Sequence, residues 1–452
     1  MSRFISMKEM KDMSDEANNK DGVAILDVRP MAAYNGWALK GEARGGHVAG
    51  AVPFPGSWLR DLKDDAVSAA LEDRGVTPSD DVIVYGYGLE DAEAAAERLE
   101  SLGYGALRVL ADGEPAWAED PGRPMERLPR YSRLVHARWI SQLLKDDNPP
   151  QFGGGRYVLA HTSFDNREDY EEGHIPGAIS LDTLFLEEPE HWNRRNPEEL
   201  EQAVLAEGIT HDTTVVLYGR CGSPTMRMES PGRYAGQIAA MRAALLLLYA
   251  GVEDVRVLDG GFAAWLAEGN PISTEETPPE PVKDFGKPIP ACPGYVIDID
   301  VAKELIADPK GELVSMRSWE EYIGKTSGYH YIGPKGRIPG AVFGNCGSDA
   351  YHMENYRNHD NTMRCYHDIA ARWREMGITP DKRIAFYCGT GWRASESFFY
   401  AYLMGWDKIA VYDGGWYEWS MDAGNAVETG IPEEYAGSDR LKSVRPKASA
   451  RR

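Results

Sequence analysis

Ile384-Ala385-Phe386-Tyr387-Cys388-Gly389-Thr390-Gly391-Trp392-Arg393-Ala394-Ser395 reads as a buried strand, then a cysteine, then a glycine-bearing loop closed by an arginine. A helical run from Glu396 to Met404 follows and ends at Gly405. A cysteine at a strand-to-helix junction is subject to two influences. The backbone N–H groups of a short loop converge on its sulfur, and the positive end of the helix favours the thiolate. Such a thiolate is a nucleophile or a carrier of a second sulfur atom. A free cysteine is also a small apolar side chain at home in a core, so position alone leaves both roles open.

Working outward from this stretch, one order of features occurs three times. An apolar strand leads to a turn, a Gly-(His/Arg)-x-x-Gly-Ala signature and a second apolar strand ending in Tyr. A helix and a third strand running into Asp-Gly and a tryptophan complete the unit. The first copy has Ala24-Ile25-Leu26-Asp27-Val28-Arg29, Gly46-His47-Val48-Ala49-Gly50-Ala51, Val82-Ile83-Val84-Tyr85, and Asp112-Gly113 with Trp117. The second has Tyr157-Val158-Leu159-Ala160, Gly173-His174-Ile175-Pro176-Gly177-Ala178, Val215-Val216-Leu217-Tyr218, and Asp259-Gly260-Gly261 with Trp265. The third has Leu313-Val314-Ser315-Met316-Arg317, Gly336-Arg337-Ile338-Pro339-Gly340-Ala341, Ile384-Ala385-Phe386-Tyr387, and Asp413-Gly414-Gly415 with Trp419.

Helical runs such as Asp91–Leu102, Gly236–Leu248 and Tyr366–Met376 alternate with these strands. The pattern predicts an α/β fold of three tandem domains, each a parallel β-sheet flanked by helices. The expected boundaries are 1–128, 129–280 and 290–435, followed by a basic, disordered tail over 436–452. Linkers are expected near Pro121–Arg130 and in the proline-rich Thr277–Pro293, where no core pattern persists. Open parallel sheets place reactive loops at the carboxyl ends of their strands, where Cys388 lies.

Aligning the strand-end tyrosines separates the copies. Cys388 follows Tyr387, whereas Gly86 follows Tyr85 and Gly219 follows Tyr218. The first copy has no cysteine, and Cys221 of the second stands two residues late in a longer loop, Arg220–Gly232. The first two domains are therefore expected to be inactive and the third catalytic, with Cys221 as a resolving thiol the sharper alternative. Cys346 and Cys365 are assigned to structure, and Cys292 falls in the linker.

Composition narrows the function classes. A chain of 452 residues has room for about three domains. No apolar run approaches the roughly 20 residues of a membrane span, and the start Met1-Ser2-Arg3-Phe4-Ile5-Ser6 lacks a signal-peptide core. A cytoplasmic protein is expected. The five cysteines show no CxxC spacing, which suggests neither a disulfide framework nor a zinc site. A formal net charge of −22 argues against a nucleic-acid partner.

The paired Gly-His-Ile-Pro-Gly-Ala and Asp-Gly-Gly-x-x-x-Trp signatures resemble those of the rhodanese family, over nearly the whole chain apart from the tail. The resemblance implies a persulfide on a loop cysteine whose terminal sulfur passes to an acceptor. Cys388 to Arg393 encloses four residues, the cradle size that rhodaneses use for sulfur, whereas the related phosphatase loop is one residue longer. Two-domain thiosulfate and mercaptopyruvate sulfurtransferases usually end this loop in Gly-Val-Thr, where this chain has Gly391-Trp392-Arg393.

The third copy also carries an insertion, Trp319-Glu320-Glu321-Tyr322-Ile323-Gly324 and Ser327-Gly328-Tyr329-His330-Tyr331-Ile332, with a segment from Cys346 to Asp360 after its signature. With Tyr34-Asn35-Gly36-Trp37, these stretches resemble the rhodanese-like anaerobic ergothioneine synthases. That resemblance implies a polysulfide-loaded persulfide on Cys388, with sulfur transfer to the imidazole C2 of hercynine (Nα-trimethylhistidine). No cofactor is implied beyond the covalent persulfide. Tyr329 matches the acid–base tyrosine and Glu321 a carboxylate that holds the imidazole. Tyr387, Thr390, Gly391 and Arg393 are expected to bind the substrate, with the Thr390 main chain and hydroxyl and Tyr387 fixing the ring against the persulfide, and Gly389 completes the loop. A trimethylammonium group is best held by aromatic faces, for which Trp392, Tyr351, Trp416 and Tyr417 are candidates. Asp349, His352, His359 and Asp360 lack a closed ligand spacing, so no metal is expected. A generic thiosulfate or 3-mercaptopyruvate sulfurtransferase, and a persulfide carrier serving a protein partner, are the alternative functions. Neither needs the Glu321/Tyr329 insertion.

Overall fold

The computed structural model describes residues 3–17, 22–221 and 235–435. The expected tail from 436 and most of the long loop after Cys221 lie outside the described residues. The described residues fall into two compact units, divided between Ser132 and Arg133. The first holds one five-stranded sheet and the second holds two.

The strands of the first sheet are β1 (Phe4–Ile5), β2 (Val23–Asp27), β3 (Val52–Pro53), β4 (Asp81–Tyr85) and β5 (Ala106–Leu110). Those of the second are β6 (Leu134–Val135), β7 (Tyr157–Ser163), β8 (Ile179–Asp182), β9 (Thr214–Gly219) and β10 (Asp254–Leu258). The third sheet has β11 (Val296–Ile297), β12 (Gly311–Ser315), β13 (Val342–Phe343), β14 (Arg383–Tyr387) and β15 (Ile409–Tyr412). Their spatial orders, β1-β5-β4-β2-β3, β6-β10-β9-β7-β8 and β11-β15-β14-β12-β13, are one topology repeated, and each pairing within these sheets is parallel. The expected α/β architecture is observed.

The recurring residues hold the same contacts in each copy, which explains why they recur. A tyrosine hydroxyl donates to the alanine carbonyl of the signature: Tyr34 to Ala51 at 2.8 Å, Tyr170 to Ala178 at 2.9 Å and Tyr322 to Ala341 at 2.6 Å. The signature histidine stacks on that ring, His47 on Tyr34 at 3.6 Å and His174 on Tyr170 at 3.7 Å. In the third copy the Arg337 guanidinium lies over Tyr322 at 5.0 Å. The tryptophan of each copy donates its indole N–H to a carbonyl beyond its helix, Trp117 to Pro124, Trp265 to Pro271 and Trp419 to Ala426. These buried aromatics carry polar tips that must find partners, and the signature supplies them.

Three helices follow the strand-end loops: α1 (Leu89–Ser101), α2 (Gly236–Ala250) and α3 (Trp392–Leu403). Helix α2 is buried on every side because it packs along α3, joining the second and third sheets. A helix that is mostly apolar belongs in such a place, and its Gln237 and Arg242 are buried with it. The junction is reciprocal. Arg194 N–H from the second domain donates to Asp413 of the third at 2.7 Å, and Met363 N–H from the third donates to Asp259 of the second at 2.7 Å.

Two local expectations need correction. Helix α3 begins at Trp392 rather than Glu396, because Gly391 takes a left-handed turn (φ 85°) and ends the loop there. Trp392 and Arg393 are thus the first residues of the helix. The stretch Pro121–Arg130 is no featureless linker: Met125–Glu126 pairs antiparallel with His47–Val48, and Leu128 is fully buried.

Candidate active site

Strand β14 delivers Cys388 to the carboxyl edge of the third sheet, where it is buried. The Cys388 and Gly389 carbonyls accept from the Trp416 and Tyr417 N–H groups at 2.8 and 3.0 Å, tying the loop to the turn after β15. That turn needs Gly415, at φ 56°, because a Cβ there would stand 2.7 Å from the Gly389 oxygen. The Asp-Gly-Gly signature therefore backs the cysteine loop.

The loop is capped by the insertion. A Cβ on Gly389 would lie 2.3 Å from Tyr329 Cε2 and 2.8 Å from its hydroxyl oxygen, so the phenol rests directly on the residue after Cys388. Arg393 donates to the Tyr329 hydroxyl at 2.7 Å. Desolvation, only partly offset by Arg393, pushes the Tyr329 phenol well above its ordinary range and keeps it protonated. Gly328, at φ 85°, lets the chain reach this place, since a Cβ there would meet Glu321 Oε1 at 2.4 Å.

Behind the tyrosine lies a buried charged trio. Arg393 forks onto Glu321 at 2.9 and 3.0 Å, and Arg317 Nε reaches Glu321 Oε1 at 3.2 Å. Burial raises the Glu321 carboxyl, but Arg393 and Arg317 outweigh it and hold the group below its ordinary value. Two guanidiniums against one carboxylate leave this trio with a net positive charge. The Thr390 hydroxyl is hydrogen-bonded to the phenol of Tyr331, whose ring lies 5.3 Å from that of Tyr329.

The sheets, the signatures and this cysteine loop have known counterparts. The rhodanese-like domain family matches residues 6–120, 160–268 and 298–422. The chain belongs to the rhodanese family. Among curated rhodaneses, the thiosulfate sulfurtransferase YnjE of Escherichia coli (strain K12) is 40% identical over 419 residues, covering 92% of this chain and 91% of that protein. Among solved structures, the anaerobic ergothioneine biosynthesis enzyme of Chlorobium limicola, in complex with its natural substrate trimethyl histidine, is 47% identical. It superposes with a TM-score of 0.91, covering 96% of this chain and 100% of that one. A persulfide-bearing variant of EanB, in a tetrahedral intermediate state with ergothioneine, gives a TM-score of 0.90 at 47% identity over 95% of this chain and 100% of that one.

Within this rhodanese, several expected site residues stand elsewhere than the sequence suggested. Tyr387 is fully buried at the strand end, in the place where Tyr218 accepts from the Ile175 N–H and Tyr85 from that of Val48, although its own hydroxyl has no hydrogen-bond partner among the described residues. It belongs to the scaffold of the repeat. Trp416 is also fully buried, with its indole N–H on the Pro334 carbonyl and Arg317 stacked on its ring, so it offers no open face. Glu321 accepts from Arg317, Arg393 and the Ser318 N–H, which fills the roughly four acceptor sites of a carboxylate. It orients Arg393 rather than presenting a bare oxygen.

Tyr351 stays half-buried, edge-on to Tyr329 at 6.2 Å. Cys346 is buried against the Met316 carbonyl, and burial raises its thiol above the ordinary range. His352 Nδ1 lies 2.7 Å from Asp349 Oδ1 as a side-chain pair.

Trp392 exposes what the sequence did not reveal. Its indole N–H donates to Glu187 of the second domain at 3.1 Å. Glu187 is itself held by Arg242 of α2 at 2.8 Å, and Arg242 reaches Asp413 at 2.8 Å. Burial, outweighing Arg242, pushes the Glu187 carboxyl up to about 7. Arg242 Nη1 stands 3.0 Å from where a Gly391 Cβ would be. The second domain therefore buttresses the far arm of the loop with Glu187 and Arg242.

Proposed function

We propose that the protein is a sulfurtransferase that converts hercynine to ergothioneine through a persulfide on Cys388. The observation that carries this reading is the phenol of Tyr329 lying on Gly389, hydrogen-bonded to Arg393, at the loop of a strand-end cysteine. The likeness to the Chlorobium limicola enzyme bound to trimethyl histidine supports the choice of acceptor.

Polysulfide supplies the sulfane sulfur to the Cys388 thiolate. In the transfer step a C–S bond forms at imidazole C2, the S–S bond breaks and Cys388 leaves as a thiolate. The C2 proton is lost; carbon is oxidised by two electrons and the sulfane sulfur is reduced. The step balances without a cofactor. The protonated Tyr329 phenol accepts from Arg393 and so keeps its own proton to donate beside Gly389, which suits a general acid and its conjugate base. The net positive trio of Arg317, Glu321 and Arg393 favours the anionic sulfur species of both half-reactions. Persulfide chemistry on an unpaired thiol suits a reducing compartment such as the cytoplasm.

A second reading, thiosulfate as donor, is favoured by the likeness to YnjE. Anaerobic incubation with hercynine and polysulfide, followed by mass spectrometry, separates the two. Ergothioneine is the expected product; none from wild type, with brisk thiosulfate–cyanide turnover, favours the second reading. Tyr329→Phe should slow sulfur transfer by about a hundredfold or more while Cys388 still loads.

A further inference from the structure

The rings nearest the cysteine loop continue outward into a row that crosses between domains. Tyr331 neighbours Tyr329 at 5.3 Å, Trp192 neighbours Tyr331 at 4.9 Å, and Tyr417 lies 6.1 Å from Tyr331 and 6.4 Å from Trp192. Trp192 belongs to the second domain; the three tyrosines belong to the third. All four rings are partly exposed and lie tilted 38–52° to one another within Tyr329–Tyr331, Trp192–Tyr331 and Trp192–Tyr417, with the His191 ring 5.6 Å from that of Tyr417.

Trp192 is held in place at a cost. Its backbone is left-handed, φ 58°, which for a bulky residue stores about 1–3 kcal/mol and persists only where the surroundings impose it. They do so here. The Trp192 N–H donates to the Glu188 carbonyl at 3.1 Å, and its own carbonyl accepts from the buried Arg242 at 2.9 Å. Two residues on, the Arg194 N–H is bound by Asp413 of the third domain. Arg242 and Asp413 are the same groups that flank Gly391, so one buried network fixes both the loop and this indole.

We propose that Trp192 is a specificity-determining residue that binds the trimethylammonium group of the substrate, with Tyr331 and Tyr417 completing the aromatic wall. This inference rests on the reading of the substrate given above. A quaternary ammonium has no N–H to donate, so aromatic faces are its natural partners. The positive trio behind Tyr329 repels it, whereas beside Trp192 the Arg242 and Arg194 guanidiniums are paired with Glu187 and Asp413. When the imidazole stands over Cys388, the ammonium is only a few bonds away along the substrate. Glu188 and Glu190, on the same turn as Trp192, add negative charge there.

The test uses the full chain and compares trimethylhistidine with dimethylhistidine, which retains an N–H when protonated. Trp192→Leu keeps apolar bulk without a π face and should raise KM for trimethylhistidine about tenfold, with kcat little changed. KM for dimethylhistidine should change much less, and persulfide loading of Cys388 should be unaffected. Trp192→Phe should keep most of the discrimination. An equal rise for both substrates, or no rise, overturns the proposal. Calorimetric titration of the persulfide-free protein reads the same preference without chemistry. Wild type that binds trimethylhistidine but does not convert it refutes the reaction assigned above and not this site. A Trp192→Leu protein that binds trimethylhistidine as wild type does refutes the site.

Discussion

The second and third domains share a sheet order, a signature and a strand-end tyrosine, yet they differ in the residue that follows the tyrosine. After Tyr218 comes Gly219, and a Cβ there would fall 2.3 Å from the Gly236 carbonyl carbon. Helix α2 begins hard against its strand, and nothing larger than hydrogen fits between them. After Tyr387, the Cys388–Gly391 loop stands between the strand and α3, with Tyr329 against Gly389 and Arg393 on the Tyr329 hydroxyl. Among its described residues, the second domain also places side chains beside its neighbour's loop. Its helix α2 carries Arg242 and its Glu188–Arg194 turn carries Trp192, both directed at the third domain.

The largest effect expected from breaking this contrast is Cys388→Ala, which should reduce both persulfide loading and turnover to background, as read by intact-protein mass spectrometry. Gly389→Ala should come next. Its methyl group would displace Tyr329, and a misplacement of that size costs about a hundredfold in turnover, measured against unchanged Cys388 loading. Gly219→Ala, the counterpart in the second domain, should act on stability instead. Forcing α2 from its strand is overpacking against backbone and should cost about 1–3 kcal/mol in urea unfolding, with Cys388 loading retained.

The smallest effect concerns pH. The Glu187 carboxyl sits at about 7 in the folded chain, above its unfolded value. Between those values the folded state binds more protons, so this group's contribution to stability is present at low pH and falls as pH rises toward 7. Glu187→Gln removes that dependence. Relative to wild type, the variant should gain on the order of 1–3 kcal/mol between pH 5 and pH 8, measured by unfolding at both. A constant difference would refute the raised value.

The repeated fold was legible because its signature residues do the same work each time. In each copy a tyrosine hydroxyl bonds the signature alanine carbonyl, a His or Arg covers the tyrosine ring, and the tryptophan bonds a carbonyl beyond its helix. Cys388 was legible for the opposite reason, as the one strand-end position that departs from glycine. Tyr387 could have been assigned correctly from the same comparison, because a tyrosine shared with copies that lack the cysteine is scaffold. Trp416 gave no such signal; its burial follows from the insertion folding Pro334 over it. Glu187, Arg242 and Trp192 were beyond reach of spacing. They come from the other sheet, and only the packing of α2 on α3 brings them to the loop. The helix boundary at Trp392 was missed because Gly391 ends the loop by backbone conformation alone, without a capping side chain.

A single-turnover experiment tests the central claim most directly. Cys388 is loaded with isotopically labelled sulfur, excess polysulfide is removed, and hercynine is added without oxygen. The account predicts one labelled sulfur in ergothioneine per labelled Cys388, with the Cys388 peptide returning to its unloaded mass. Label that stays on Cys388, or that collects on Cys221 while product fails to form, would contradict it.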